Sequence, residues 1–316
     1  MNKFKKIGLS ALAGSLVAVS ANAGEMSVAG SASMAVEHVN GGAASTGKSW
    51  SMGNQLTFTG GGELDNGMNV TLSFILDEAD AAPGPFDNHS IAISMDDLGT
   101  LTFHGEGGSA AQAAMDGSAA GGIWDNFQAA ADEPKAAKGS DDMITYALPS
   151  LMDGLALNTS YTPGGTGFGG ASSSVSWSAT YTGVEGLTVA YGFGEDNSTT
   201  TEAEATAWKV AYAYGPITVT ATDLDYDHAT NTSDRSMDSQ AISYTVSDEI
   251  SVTYGVEEIT DGSASSEKAE FESISASYTS GGMTLTVTSQ EAKNHSYSTT
   301  ATEDNERWAV SAAFAF

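Results

Sequence analysis

Residues 250–256 read ISVTYGV, and the same pattern recurs at 68–76 (MNVTLSFIL) and at 187–193 (LTVAYGF). In each stretch every second residue is aliphatic or aromatic, and most residues between them are Ser, Thr, Asn, Gly or Ala. A period of two residues places one set of side chains on each face of a β-strand. A soluble sandwich would bury the apolar set against a second sheet, whereas a membrane barrel would turn that set to lipid. The alternation alone is consistent with both.

The number of strands and the lengths of their connections favour the barrel. Sixteen alternating segments follow one another, and single-chain bacterial membrane barrels have an even number of strands. Their connections alternate between short turns, such as 65–67 and 215–216, and long polar loops, such as 195–202 and 227–236. Short turns at one rim and long loops at the other are typical of outer-membrane barrels. The predicted fold is therefore all-β, a transmembrane antiparallel up-and-down β-barrel of 16 strands.

The first residues predict a cleaved signal peptide. Lysines stand at positions 3, 5 and 6, an apolar stretch follows over 7–19, and Ala21-Asn22-Ala23 supplies the small residues of a cleavage site. These three parts in this order are typical of secretory signals. We expect cleavage to remove 1–23 and leave 24–316 as the barrel. No later stretch is apolar over about 18 residues, so no transmembrane helix is predicted.

The charge of the chain is strongly one-sided. The sequence contains 40 acidic residues and 11 Lys and Arg, of which three lie in the predicted signal, so the mature chain carries 40 acids against 8 basic residues. Nucleic-acid binding is excluded as a function, because phosphate contacts need clustered Lys and Arg. The chain contains no cysteine, so a secreted form derives no stability from disulfides.

Three local patterns resemble the general porins of Gram-negative bacteria. They are the last strand, 308–316 (WAVSAAFAF), the segment 98–105 (LGTLTFHG), and 142–146 (DMITY) followed by Pro149 and Gly154. The resemblance implies a sixteen-stranded barrel in the outer membrane, assembled as a homotrimer around water-filled pores. It also implies that the barrel-assembly machinery reads an aromatic signal in the last strand, consisting of Trp308, Phe314 and Phe316.

The longest connection, 106–140, lies between the fifth and sixth predicted strands. In the porins that this chain resembles, the loop at this place folds inward and narrows the pore. A long loop without secondary structure is uncommon unless it has a function, and a constriction supplies one. We expect Trp124 and Phe127 to hold the loop against the wall. The alternative is a solvated external loop.

Charge at the constriction would determine which ions pass, because screening is weak where water is scarce. General porins commonly place a cluster of arginines opposite the acids of the loop. This chain departs from that pattern, because its only arginines are Arg235, in a predicted long loop, and Arg307. The candidate constriction residues are Glu106, Asp116, Asp125, Asp132, Glu133, Lys135, Lys138, Asp141 and Asp142.

Alternation also predicts which charged side chains line the pore wall. Lys209 and Arg307 face the lumen if Trp208 and Trp308 face lipid, and His104 is a further lumen candidate. The acid excess leads to the hypothesis of a cation-preferring channel for passive diffusion of ions and small hydrophilic solutes. Two alternatives stay open: a substrate-selective channel of the same fold, and a secreted acidic β-rich surface or adhesin protein.

Asp223, Asp225 and Asp227 are candidate ligands of a calcium ion, because Ca²⁺ prefers carboxylate oxygens. Their parity matches that of the lipid-facing Ile217. Either the strand has left the membrane at this point, or a bulge switches its faces so that Leu224 points outward. Apart from this possible Ca²⁺, no cofactor is predicted. The sequence contains no HExxH, no GxSxG and no cysteine, so we do not predict an enzyme.

Overall fold

Sixteen antiparallel strands make up the barrel of the computed structural model. The model describes residues 26–41, 48–77, 88–113, 118–127, 141–164, 172–197, 202–230, 234–262, 267–295, 297 and 304–316. The strands are β1 Met26–Asn40, β2 Ser49–Glu63, β3 Asn69–Asp77, β4 Asn88–Met95, β5 Gly99–Glu106, β6 Met143–Ala147, β7 Leu155–Thr162, β8 Ser174–Val184, β9 Leu187–Asp196, β10 Ala203–Tyr214, β11 Ile217–His228, β12 Arg235–Thr245, β13 Ile250–Asp261, β14 Ala269–Ser280, β15 Met283–Lys293 and β16 Asn305–Ala315. The predicted signal peptide lies outside the described residues.

The sheet closes on itself by pairing β1 with β16. Val36 lies opposite Val310 along this seam, and the backbones of Gly30 and Phe316 exchange hydrogen bonds of 2.7 and 2.9 Å. A Cβ atom at Gly30 would overlap the ring of Phe316, so the glycine lets the C-terminal ring lie against the first strand. Closure leaves no unpaired edge, which a sheet surrounded by hydrocarbon requires. The prediction of a sixteen-stranded antiparallel barrel is confirmed.

Away from the long loops, the outer surface of the barrel is apolar. Val219 on β11 and Val287 on β15 are each 50% exposed, and Trp177 on β8 is 44% exposed. Their neighbours in sequence, such as Thr220 and Thr286, point into the lumen. Apolar residues outside and hydroxyls inside match a wall in contact with lipid, and not a soluble, secreted surface protein. No described helix has the length and apolarity needed to span a membrane.

Near the long loops, the strands β10 to β15 reverse this pattern without changing register, and β9 and β16 also carry an outward acid there. At this end of β14, Ala269 and Phe271 are buried on the inner face, whereas Glu270 and Glu272 are exposed on the outer face. An apolar inner face and a charged outer face are typical of a water-soluble sheet. This segment of the wall, which we name the acidic collar, therefore rises above the hydrocarbon. Its outward acids are Glu195, Glu204, Asp223, Asp225, Asp227, Asp238, Glu258, Glu270, Glu272, Glu291 and Glu306.

The pairing of β11 distinguishes the two explanations for its outward aspartates, which are a bulge in the strand and an exit of the strand from the membrane. The pairing of β10 with β11 is continuous from Ala203 to Tyr214, with no bulge. Leu224 is 3% exposed and lies in the apolar cluster inside the barrel. The alternative in which a bulge turns Leu224 outward is therefore wrong, which leaves the alternative that the strand has left the membrane where its aspartates begin.

Candidate functional site

The described parts of the connection between β5 and β6, residues 107–113 and 118–127, lie inside the barrel along its inner wall. The first of these segments is held by serine hydroxyls of β7 and β8. The backbone N–H of Ala111 donates to Ser160 Oγ at 3.0 Å, and that of Gln112 donates to Ser176 Oγ at 3.2 Å. The two hydroxyls lie 2.6 Å apart and form a hydrogen bond of their own. Polar side chains on the wall therefore satisfy loop N–H groups that would otherwise be buried without partners.

The next described segment of the loop, 118–127, continues along β11, β12 and β13. The N–H of Ala119 donates to Thr222 Oγ1 on β11, and the N–H of Ala120 donates to Ser239 Oγ on β12, both at 2.9 Å. Ser118 Oγ lies 2.8 Å from Ser239 Oγ. Thr222 and Ser239 face inward and are almost fully buried. The loop thus follows a row of inward hydroxyls around the wall.

Glu257 on β13 is the anchor at the end of this row. Its side chain faces inward, and the residue is 2% exposed. The N–H of Gly122 donates to Oε1 at 3.0 Å, the N–H of Trp124 donates to Oε2 at 3.2 Å, and the hydroxyl of Ser118 also donates to Oε1. Hydrogen bonds to a charged acceptor are stronger than neutral ones. A buried carboxylate needs such partners, so the loop and the wall stabilise each other here.

An apolar cluster completes the attachment of the loop. Ile123 is 1% exposed and Phe127 is 3% exposed, and the rings of Phe127 and Phe271 lie 6.0 Å apart. Trp124 packs against the edge of the cluster, as predicted for an anchoring residue, together with Phe127. This core inside the lumen contains Ile123, Phe127, Ala207, Leu224, Met237, Ile259, Ala269, Phe271 and Ala292. Part of the inner face of β10 to β15 near the long loops is therefore packed against the loop in an apolar cluster.

Four of the predicted constriction residues lie in the described part of the chain. Glu106 ends β5, with a carboxylate oxygen 3.7 Å from His89 Nδ1. Asp125 is exposed in a short 3₁₀ turn between the buried Ile123 and Phe127. At the exit of the loop, Asp141 is exposed and Asp142 has a φ of 57°. The other predicted constriction residues, Asp116, Asp132, Glu133, Lys135 and Lys138, lie outside the described residues.

The three lumen candidates lie on inward positions of their strands. His104 Nε2 is 3.1 Å from Thr145 Oγ1 on β6. Lys209 shares the inner face of β10 with the buried Ala207. Arg307 forms a salt bridge of 2.6 Å with Glu37 on β1.

Arg235 differs from the prediction, which placed it in a long loop. It is the first residue of β12, where the strand pairs with β13, and it shares the inner face with Met237. Its guanidinium group forms a 3.1 Å salt bridge with Asp261 and lies 5.5 Å from the centre of the Tyr297 ring. Both arginines of the chain are therefore in ion pairs inside the barrel.

The aromatic residues of the predicted assembly signal share one face of the last strand. Trp308 is 37% exposed, Phe314 is 39% exposed, and the terminal Phe316 is 76% exposed. All three point outward, as the alternation predicts for a strand in contact with lipid.

The aspartates proposed as calcium ligands do not converge on one point. Asp223, Asp225 and Asp227 follow each other along the outer face of β11, about 6.6 Å apart at the usual rise of a strand. Within the described ranges, no group of three or more His, Cys, Asp or Glu side chains is arranged to hold a metal ion.

The sequence interpretation missed Glu257, Glu37 and the row of hydroxyls. Alternation was the available signal for Glu257, because Val256 and Glu258 flank it on the outer face of β13. An acid on the small, polar face of a strand marks a lumen position. Which side chains the loop contacts depends on the path of the loop, and the Gly122–Glu257 contact joins residues 135 positions apart.

Comparisons with known proteins agree with this architecture. The family model described as Gram-negative porin matches residues 8–316. The anion-selective porin from Comamonas acidovorans superposes with a TM-score of 0.70 at 16% identity, covering 92% of this chain and 99% of that one. OmpT of Vibrio cholerae gives 0.66 at 13% identity, covering 94% and 99%. OmpF of Salmonella typhi, in complex with daunomycin, gives 0.67 at 13% identity, covering 93% and 98%. A search of curated proteins gives no match.

The structural likenesses are below 25% identity and show the fold, whereas the family match extends over nearly the whole sequence. Members of this family are outer-membrane channels for small solutes and are not enzymes. A closed barrel with an apolar outer wall and a loop folded into its lumen has the form that such a channel needs. The chain therefore belongs to the Gram-negative porin family.

Proposed function

We propose that this chain forms a diffusion channel that prefers cations and admits ions and small hydrophilic solutes. The supporting observation is the balance of charge inside the barrel. Arg235 and Arg307 are each compensated by a carboxylate. Lys209 is the one other inward Lys or Arg of the described strands, whereas Asp125 and Asp141 are exposed at the loop. An excess of acid at a narrow place raises the local concentration of cations.

The fold by itself does not set the sign of the selectivity. A porin named as anion-selective shares this barrel, so the preference of each channel depends on the side chains that line its own lumen. In this chain the paired arginines offer a passing anion little positive charge.

Reversal potentials across a planar bilayer under a KCl gradient test the preference. At about 0.1 M salt, where the screening length is about 10 Å, we expect the sign of the reversal potential to show that K⁺ permeates better than Cl⁻. At about 1 M salt, where the screening length is about 3 Å, this preference should be weaker. A chloride preference at low salt would contradict the proposal. Block of the conductance that saturates with one solute would instead favour a substrate-selective channel.

We further propose that the channel is a homotrimer whose subunits meet through β1 to β6. Among the acids on the described strands, those that point outward all lie on β9 to β16. The outer face of β1 to β6 presents apolar residues such as Met34, Leu72 and Phe103. Like charges that face each other across an interface repel, so negatively charged subunits associate best through the face that carries the fewest outward acids.

A matched pair of substitutions tests the face used for assembly. Leu72 on β3 and Val219 on β11 both point outward and are 42% and 50% exposed, so L72R and V219R carry similar costs of placing a charge near lipid. We expect L72R to lower the trimer fraction measured by light scattering in detergent, and V219R to leave it unchanged. Equal effects of the two variants would argue against β1 to β6 as the interface.

We also propose that the barrel-assembly machinery reads Trp308, Phe314 and Phe316. Their alignment on one exposed face at the closing seam supports this. Removing the ring in F316S should reduce the amount of barrel in the outer membrane of cells while leaving refolding into detergent intact. Loss of refolding in vitro would assign the ring to the stability of the seam instead.

A further inference from the structure

A polar network crosses the seam of the barrel near the rim that carries the long loops. Arg307 on β16 donates from Nε and Nη2 to Glu37 Oε2 on β1, at 3.0 and 2.6 Å, and from Nη1 to Gln290 Oε1 on β15 at 2.6 Å. Ser49 on β2 donates to Glu37 Oε1 at 3.2 Å. The network thus spans four neighbouring strands, and its geometry fixes both charges in place.

The two charges differ in their access to the lumen. The Arg307 side chain is 11% exposed, whereas that of Glu37 is 36% exposed. The guanidinium group of Arg307 is covered by its hydrogen-bond partners, so the carboxylate of Glu37 is the more accessible of the two charges to solutes in the lumen. Among the described strands β1–β6 and β16, Arg307 is the one Lys or Arg. Within these strands, Arg307 is therefore the one permanently charged base that can balance Glu37.

We propose that Glu37 is a selectivity-determining residue whose charge Arg307 compensates. This inference rests on the proposed channel function and adds which wall residues set its ion preference. Loss of Arg307 leaves a bare carboxylate beside the water path and raises the preference for cations. Loss of Glu37 leaves a bare guanidinium group and lowers that preference, and loss of both restores the original balance.

The test compares R307Q, E37Q and the double variant in planar bilayers at about 0.1 M KCl. We expect the K⁺/Cl⁻ permeability ratio to rise about threefold in R307Q and to fall about threefold in E37Q, the size expected for one charge roughly 6 Å from a passing ion in water. The double variant should return to the wild-type ratio, since the two effects cancel. Unchanged ratios in the single variants, or shifts of the opposite sign, would overturn the proposal.

Two further variants separate selectivity from folding. K293Q removes a positive charge from the outer face of β15 and should leave the ratio unchanged, and R307K keeps the charge and should resemble the wild type. Heat-modifiable migration on a denaturing gel reports whether each barrel has formed. If neither single variant forms a barrel, the pair serves folding and the proposal is wrong. A wild-type channel that prefers anions would contradict the proposed cation preference. The role of Glu37 and Arg307 would still be tested, because it depends only on how the permeability ratio differs between the variants and the wild type.

Discussion

Glu257→Gln should loosen the constriction loop without damaging the barrel. The Glu257 carboxylate accepts hydrogen bonds from the backbone N–H groups of Gly122 and Trp124 and from the hydroxyl of Ser118. Glutamine keeps one oxygen acceptor, but its NH₂ group then faces an N–H donor. Hydrogen bonds to a charged group contribute about 1.5–3 kcal/mol each, so we expect docking of the loop to weaken by about 2–4 kcal/mol. Because 1.4 kcal/mol corresponds to a tenfold change in an equilibrium constant, the ratio of docked to undocked loop should fall about 30- to 700-fold.

Single-channel recording in planar bilayers measures this change. A loop that leaves the wall should give a larger mean conductance and more frequent transitions between conductance levels. The matched control is E258Q, which makes the same chemical change at the next residue, on the outer face, where Glu258 pairs with the exposed Lys268. Its conductance should equal that of the wild type. An unaltered conductance trace in E257Q, or equal effects of the two variants, would refute the role of Glu257 as the anchor.

Three other substitutions test other parts of the barrel. Phe127→Ala empties part of the apolar cluster, where truncating a buried Phe costs about 3–5 kcal/mol, and conductance recording should show a wider, noisier pore. Asp223→Asn removes a repulsion with Asp238 directly across β11 and β12; unfolding by urea at low salt should show a gain of up to about 1 kcal/mol that disappears at about 1 M salt. Val310→Lys places a charge at the middle of β16, facing outward, and should cost about 2–4 kcal/mol in a folding titration if that face meets hydrocarbon.

The barrel could be predicted from sequence because lipid and water sort side chains with a period of two residues. Segments such as 187–193 carry that period clearly, and the short and long connections then assign the two rims. The exchange of apolar and charged faces that begins at Asp223 could not be predicted from this period. Parity stays constant along β11, but the environments of both faces change when the strand rises above the hydrocarbon and its inner face meets the loop.

The candidate site could be predicted only in part. The position of the long connection indicated an inward loop, and Phe127 lies in its apolar contact as expected. The partners of the loop were not predictable, because Ser160, Ser239 and Glu257 lie on strands far along the chain and alternation gives only their face. Likewise, the two arginines could be counted from sequence, but their neutralising partners depend on which strands meet.

The apolar inner surface beneath residues 118–127 has a consequence for any attempt to widen this pore. Cutting out the loop would enlarge the opening in a geometric sense, but it would uncover Leu224, Met237, Ile259 and Phe271. Narrow hydrophobic passages lose their water, and a passage that has dewetted no longer conducts ions. The enlarged hole would then conduct less than its diameter suggests, unless the newly bared residues were replaced by Ser or Thr in the same step.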